Sequence, residues 1–194
     1  MFSSFLPVLL LFNGIQEPEH MQFSIGANYS SYHFYQDSLE AQGKWGLGGE
    51  IAVHNLVSSI DLKLRATKIR FEPATTPAYA YEYTPITLCT SFDILPFSHA
   101  KWLNLSIETG LGIYLWKGLY NEVLIVLPDG KEMDERDIGF VAGATLQIRP
   151  IRFVALEFAS RYNYIASSDI YKYGYYDKDE KIWENGLGLK IIIP

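Results

Sequence analysis

Charged side chains of both signs recur at alternate positions of otherwise apolar segments, in a pattern that favours ion pairing. Asp61, Lys63 and Arg65, for example, alternate with leucines. Because an unpaired charge in a narrow, poorly hydrated interior is costly, such side chains should pair across neighbouring segments. The predicted network contains Glu50, Asp61, Lys63, Arg65, Glu108, Glu157, Arg161, Glu184 and Lys190. Such a network would plug an interior, or would gate a narrow conduit if the pairs exchanged partners.

Nucleophilic chemistry has one candidate group, in the segment 31–43. His33, Asp37 and Ser38 supply a base, an acid and a hydroxyl, the residue types that activate a serine. A general base must lie within hydrogen-bond reach of its nucleophile, and nothing in this spacing enforces such contact. An ordinary polar loop is therefore the preferred interpretation, and we predict no enzymatic activity.

The remaining histidines and the single cysteine suggest no metal site. His20, His54 and His99 lack the spacing of metal ligands and are expected to be solvated turn residues. One cysteine, Cys89, can form neither an intrachain disulfide nor a cysteine metal cluster. We predict neither a metal nor a cofactor.

Strict alternation of apolar and other residues predicts the elements that position these side chains, namely β-strands with two unlike faces. Eight segments of about ten residues show it, the length of a tilted membrane-spanning strand. They are 21–30, 44–54, 59–67, 86–95, 103–118, 137–148, 153–164 and 183–193. Long and short connections alternate, which predicts an eight-stranded antiparallel up-and-down barrel. The segment 117–136 should extend past the barrel as a hairpin closed at Pro128–Gly130.

Glycine indicates which face of the strands is inside. Glycines such as Gly26, Gly110 and Gly143 lie on the polar face, where they would make room for long side chains in a narrow interior. The apolar face should then meet lipid. Aromatic residues gather at the strand ends near the long loops, as in the belts of transmembrane barrels. The predicted belt contains Trp45, Tyr81, Tyr83, Tyr162, Tyr164 and Trp183.

Composition and the amino-terminal segment narrow the class of protein further. The net charge of −6 over 194 residues argues against a nucleic-acid-binding surface. The apolar run at residues 5–12 is too short to span a bilayer and fits a secretory signal. We expect residues 1–16 to form a signal peptide and residues 17–194 to form the barrel domain.

Several motifs carry a resemblance to a known family. They are "IETGLGIYLWKG", "GFVAGATLQIRP", "VALEFASRYNY" and the closing strand. Over residues 21–194 the chain resembles the small eight-stranded outer-membrane barrels of Gram-negative bacteria, the OmpA-like transmembrane domain group. "ENGLGLKI" looks like the carboxyl-terminal assembly signal of such barrels, carried here by Glu184, Gly186, Leu189 and Ile191.

The resemblance implies an outer-membrane protein whose partners are the lipid bilayer, lipopolysaccharide and the barrel-assembly machinery. It also implies a structural or surface-binding role exercised through the long extracellular loops. Three alternatives stay open at this point: a narrow channel, a lipid-modifying barrel enzyme, and a soluble, lipocalin-like binder of small molecules.

Overall fold

A computed structural model describes residues 21–34, 44–57, 59–71, 78–95, 102–166 and 179–193. The predicted signal peptide, residues 1–16, lies outside the described residues. Within these ranges, no helix has the length and apolar character needed to cross a membrane.

The described residues form nine β-strands. They are β1 (Gln22–Phe34), β2 (Lys44–Val57), β3 (Ile60–Phe71), β4 (Tyr79–Leu95), β5 (Leu103–Tyr120), β6 (Val123–Leu124), β7 (Asp134–Ile151), β8 (Val154–Ala166) and β9 (Glu180–Ile193). All pair antiparallel, in the order β4-β3-β2-β1-β9-β8-β7-β5, and β4 also pairs with β5. The sheet therefore closes on itself, and the predicted eight-stranded up-and-down barrel is confirmed. The two-residue β6 pairs with the end of β5 outside this ring.

The two faces of the wall differ as the alternation predicts. Leu47, Leu111 and Ile138 are 68%, 66% and 68% exposed on the outer face. The alternate positions along the strands face inward and are buried; Ser106 and Glu108, for example, are 1% and 0% exposed. Polar and charged side chains thus fill the inside, and large apolar side chains cover the outside. This is the orientation inferred from the glycines.

The strands beside the third long connection extend beyond the predicted segments 103–118 and 137–148, because β5 and β7 continue into a hairpin. β5 and β7 each have 18 residues. Hydrogen bonds from Gly118 N–H to Met133 O and from Met133 N–H to Ile125 O, both 2.8 Å, hold the hairpin together. Its tip turns at residues 128–130, where Gly130 has a φ of 82°. The predicted hairpin, which we call the 117–136 hairpin, is confirmed.

Candidate functional site

Eight of the nine charged residues in the predicted network meet in one cluster inside the barrel. We call this cluster the ion layer. It holds four carboxylates and four cations, so its formal charges balance; the members are Glu50, Glu108, Glu157, Glu184, Lys63, Arg65, Arg161 and Lys190. The side chain of each is at most 6% exposed. In so dry a setting an ion is tolerated only when it is paired.

Arg161 on β8 joins three carboxylates. Its Nη1 donates to Glu184 and its Nη2 to Glu157, each at 3.0 Å. Its Nε donates to Glu108 on β5, across the intervening strand β7. A guanidinium presents its donors in a fixed planar fork, which suits simultaneous contact with several carboxylates better than an ammonium would.

Glu108 is also approached from the opposite wall of the barrel, by β3. Lys63 Nζ lies 3.3 Å from Glu108 Oε2, and Arg65 Nη2 lies 3.5 Å from Oε1. Glu108, from β5, is thus the carboxylate that connects the cations of β3 with Arg161 of β8.

A second junction lies at the seam where the first and last strands meet. Arg65 donates to Glu50 from Nη2 at 2.7 Å and from Nε at 3.0 Å. Lys190 contacts both Glu50 and Glu157. Glu157 also accepts a hydrogen bond of 2.9 Å from the side chain of Gln147.

Two glycines separate ion-pair partners that reach across an intervening strand. Gly26 lies opposite both Glu50 and Lys190, and a β-carbon there would fall 2.7 Å from Lys190 Cγ. Gly143 lies opposite both Glu108 and Arg161, and a β-carbon there would fall 2.9 Å from Arg161 Cα and Cγ. Any larger side chain would occupy the path of the salt bridge. These contacts are the physical reason for glycine on the polar face.

Asp61, the ninth predicted member, lies apart from the ion layer. Its carboxylate instead contacts His54, whose Nδ1 lies 2.7 Å from Asp61 Oδ2. The other oxygen accepts a 3.0 Å hydrogen bond from the backbone N–H of Asn55. The expectation of a solvated His54 is wrong, because β2 extends to Val57 and turns this ring into the barrel at 3% exposure. His20 and His99 lie outside the described residues.

The half of the lumen nearer the long loops is filled by apolar and aromatic side chains. We call this cluster the apolar layer; its members are Tyr32, Ile69, Tyr83, Tyr114, Trp116, Met133, Ile165 and Ile182. Its tyrosine hydroxyls make hydrogen bonds to neighbouring side chains: Tyr83 OH donates to Glu180 at 2.5 Å, and Tyr114 OH donates to Asn163 at 2.7 Å. Met133, from the 117–136 hairpin, packs with this layer. The lumen is thus filled by two layers of different chemistry.

The structure corrects two members of the predicted aromatic belt. Tyr83 is 0% exposed and belongs to the apolar layer. Tyr81, two residues away on the same side of β4, packs against that layer and stacks on Trp116 with ring centroids 5.9 Å apart. Both have the parity of buried Thr87 on β4, so they point inward, whereas a belt residue must point outward.

The other four belt candidates lie on the outer face. Trp45 stacks on Tyr29 with centroids 4.7 Å apart, and Trp183 contacts Tyr162 at 6.1 Å. Tyr164 OH donates to Asp179. Their depth in a bilayer stays a prediction.

The residues of the predicted assembly signal divide between the two faces of β9. Glu184 and Gly186 are buried toward the lumen, whereas Leu189 and Ile191 are 54% and 56% exposed outside. Glu184 also accepts a hydrogen bond of 3.0 Å from Ser30 on β1. Their part in assembly stays a prediction.

The predicted loop nucleophile group cannot be assembled from the described residues. His33 is exposed on β1, and Asp37 and Ser38 lie outside the described ranges. Across the described part of the chain, no group of three or more His, Cys, Asp or Glu side chains could hold a metal ion.

Three solved outer-membrane proteins are similar to this barrel. Neisserial surface protein A aligns with a TM-score of 0.57 at 13% identity, over 88% of this chain and 96% of that one. Ail, the attachment invasion locus protein of Yersinia pestis, in complex with the heparin analogue sucrose octasulfate, gives 0.53 at 16%, over 89% and 97%. A major outer membrane protein from Thermus thermophilus gives 0.60 at 10%, over 90% and 100%.

These likenesses establish the fold, which is that of the small eight-stranded transmembrane barrels of bacterial outer membranes. Neither a protein-family model nor a curated protein matches the sequence.

Proposed function

We propose that this chain is an integral outer-membrane barrel that binds a partner protein at its long-loop end and conducts nothing through its lumen. The observation that carries the proposal is the filling of the lumen by two layers. A small barrel has an interior just wide enough for its own side chains. With the lumen closed to passage, the outer wall and the loop end are the surfaces on which this barrel can bind partners.

The outer wall is suited to lipid. Its large apolar side chains are about half exposed or more, as at Ile51, Leu111 and Leu189, which are 53%, 66% and 54% exposed. A soluble barrel would bury such residues, so the soluble, lipocalin-like alternative is disfavoured. Lipid and lipopolysaccharide are the proposed partners of this surface, and the barrel-assembly machinery is the proposed reader of the β9 signal.

The loop end presents an exposed apolar patch above the wall. We call it the hairpin patch, formed by Tyr79, Tyr120, Val123 and Val126. Their exposed fractions are 38%, 47%, 67% and 59%, and the rings of Tyr79 and Tyr120 lie 5.0 Å apart. Aromatic residues are enriched in the cores of protein interfaces, and an exposed apolar patch marks an interaction site.

An ion pair anchors the hairpin patch from the side. Arg70 Nη1 donates to Glu122 Oε2 at 2.9 Å, which joins the end of β3 to the turn after β5. The hydrogen bonding to the Arg70 guanidinium holds the pKa of the Glu122 carboxyl below its ordinary value. A patch that is already ordered loses less conformational entropy when it binds.

The charge of the hairpin distinguishes the proposed partner from the ligand in the Ail complex. Sucrose octasulfate is a polyanion, whereas the exposed side chains around the patch carry both signs, with Glu122, Asp129, Glu132 and Asp134 beside Lys117, Lys131 and Arg136. Such a mixed surface lacks the excess of positive charge that attracts a sulfated glycan. A protein surface with apolar side chains is the partner that fits the hairpin patch.

A site-specific photocrosslinker tests the proposal on living cells. We place a photoreactive residue at Val123 and, as a matched control, at the equally exposed but wall-facing Ile138. The expected result is protease-sensitive adducts at position 123 that weaken when Tyr120 is replaced by alanine and persist in excess sucrose octasulfate. Adducts that contain only lipid at both positions, or loss of the adducts with sucrose octasulfate, would contradict a protein partner.

A further inference from the structure

At the short-turn end of the lumen, three side chains that the two layers do not use form a hydrogen-bonded chain. Ser24 Oγ lies 2.8 Å from His54 Nε2, and His54 Nδ1 lies 2.7 Å from Asp61 Oδ2. They come from three adjacent strands, β1, β2 and β3. We propose that Ser24 is a nucleophile for carboxylic esters, with His54 as its general base and Asp61 as the group that orients the base.

The direction of the hydrogen bonds follows from the chemistry of each group. An ionised carboxylate only accepts, so His54 Nδ1 carries the hydrogen that points to Asp61. In neutral imidazole the other nitrogen then offers a lone pair, and Ser24 O–H donates to Nε2. A serine hydroxyl that donates to an imidazole, which in turn donates to a carboxylate, is the arrangement in which a base activates a serine.

The local charge balance favours the imidazolium that forms when His54 takes the serine proton. The ion layer contains equal numbers of positive and negative groups without Asp61. The Asp61 charge is therefore available to His54, and the backbone N–H of Asn55 holds the second carboxylate oxygen in place at 3.0 Å.

The backbone of β2 is irregular beside His54. A β-bulge interrupts the β2–β3 register between Val53 and Val57, and Asn55 has a φ of 55°, a left-handed conformation that asparagine adopts more readily than most residues with a side chain. Bulges re-aim side chains and are common beside active sites. Here the bulge lies directly after His54, which sits between Ser24 and Asp61.

The position sets the class of substrate. Ser24 is two residues from the start of β1, about 7 Å along the strand from the short-turn mouth. It is 5% exposed, so an acyl group reaching it must be short. Ser24 Oγ would bond to the ester carbonyl carbon while the ester C–O bond breaks. The serine proton passes through His54 Nε2 to the leaving alkoxide, and water then releases the acid by the same path.

Two assays on the folded barrel in detergent test this. The first is covalent labelling by a fluorophosphonate, in which the Oγ–P bond forms, the P–F bond breaks and fluoride leaves; the second is hydrolysis of p-nitrophenyl acetate. We expect mass spectrometry to locate the label on Ser24. We expect Ser24→Ala to abolish label and turnover, and His54→Gln to slow both by about 100-fold or more.

A lumenal serine without an imidazole provides the matched control. Ser91 is 2% exposed on β4, opposite Asp61 in the register, and Ser91→Ala should leave labelling and turnover unchanged. The heat-modifiable gel mobility of each variant shows whether it is folded. The proposal is overturned if folded wild type carries no label on Ser24, if it shows no turnover above Ser24→Ala, or if His54→Gln reacts at the wild-type rate.

Discussion

Replacing Arg161 with methionine tests whether the ion layer stabilises the barrel as a balanced unit. The change keeps most of the side-chain volume and removes one of four cations. Glu184 keeps Ser30, Glu108 keeps Lys63 and Glu157 keeps Lys190, so no carboxylate loses every partner. What the variant gains is one uncompensated negative charge in a buried site.

The expected loss in free energy of unfolding lies between two limits. Removing one partner of a buried ion pair costs about 3–5 kcal/mol. The variant can avoid part of this cost by protonating one carboxylate, which for an ordinary glutamate takes about 4 kcal/mol at pH 7 and about 1 kcal/mol at pH 5. We therefore expect the free energy of unfolding to fall by about 3–4 kcal/mol at pH 7 and by clearly less at pH 5.

Equilibrium urea unfolding in lipid vesicles, followed by tryptophan fluorescence, measures this difference. The control is Lys68→Met, which breaks a 2.9 Å salt bridge from Lys68 to Glu82 where Lys68 is 63% exposed. An exposed pair should contribute less than about 1 kcal/mol. Adding Glu108→Gln to Arg161→Met restores neutrality and should recover part of the loss. The reasoning would be refuted if Arg161→Met and Lys68→Met lost the same free energy of unfolding. It would also be refuted if the double variant lost the sum of the losses of Arg161→Met and Glu108→Gln.

Two further predictions concern the packing of the lumen. Gly143→Val should destabilise the barrel by about 1–3 kcal/mol in the same assay, because the added carbons meet the backbone oxygen of Ser160 as well as Arg161. Gly49→Ala on the outer face, whose β-carbon would find its nearest neighbour at 3.6 Å, should not. In planar bilayers, both wild type and Arg161→Met should stay at baseline conductance, because the apolar layer around Trp116 remains in place. Step-like openings in Arg161→Met would show that the ion layer alone closes the lumen.

The fold and the ion layer could be predicted because their signal is local. Alternation with period two places Glu108 on one face and Leu111 on the other without knowledge of any contact. A dry interior then requires opposite charges to pair. Which charge meets which could not be predicted, since Arg161 and Glu108 are 53 residues apart and their contact depends on the register of three strands.

The misplaced tyrosines show that parity along a strand is a better guide than nearness to a loop. Nearness to a long loop suggests that Tyr83 is a belt residue, although its parity on β4 is that of inward-facing Thr87. His54 is a different case. Its parity is that of inward-facing Glu50, but the predicted turn begins at residue 55, and the bulge that extends β2 has no sequence signature of its own. The Ser24 contact, 30 residues away, depends on that extension.

The way the salt bridges are shared among strands has a consequence for how the cylinder is completed. Glu50–Arg65 joins β2 to β3 and Arg161–Glu184 joins β8 to β9, so each can form inside a single hairpin as that hairpin enters the membrane. Lys190–Glu50 is different, because it crosses the junction of the first and last strands. Until that junction forms, Glu50 lacks one of its two cations. The absence of the Lys190–Glu50 contact would therefore identify folding intermediates whose hairpins have formed but whose first and last strands have not yet paired.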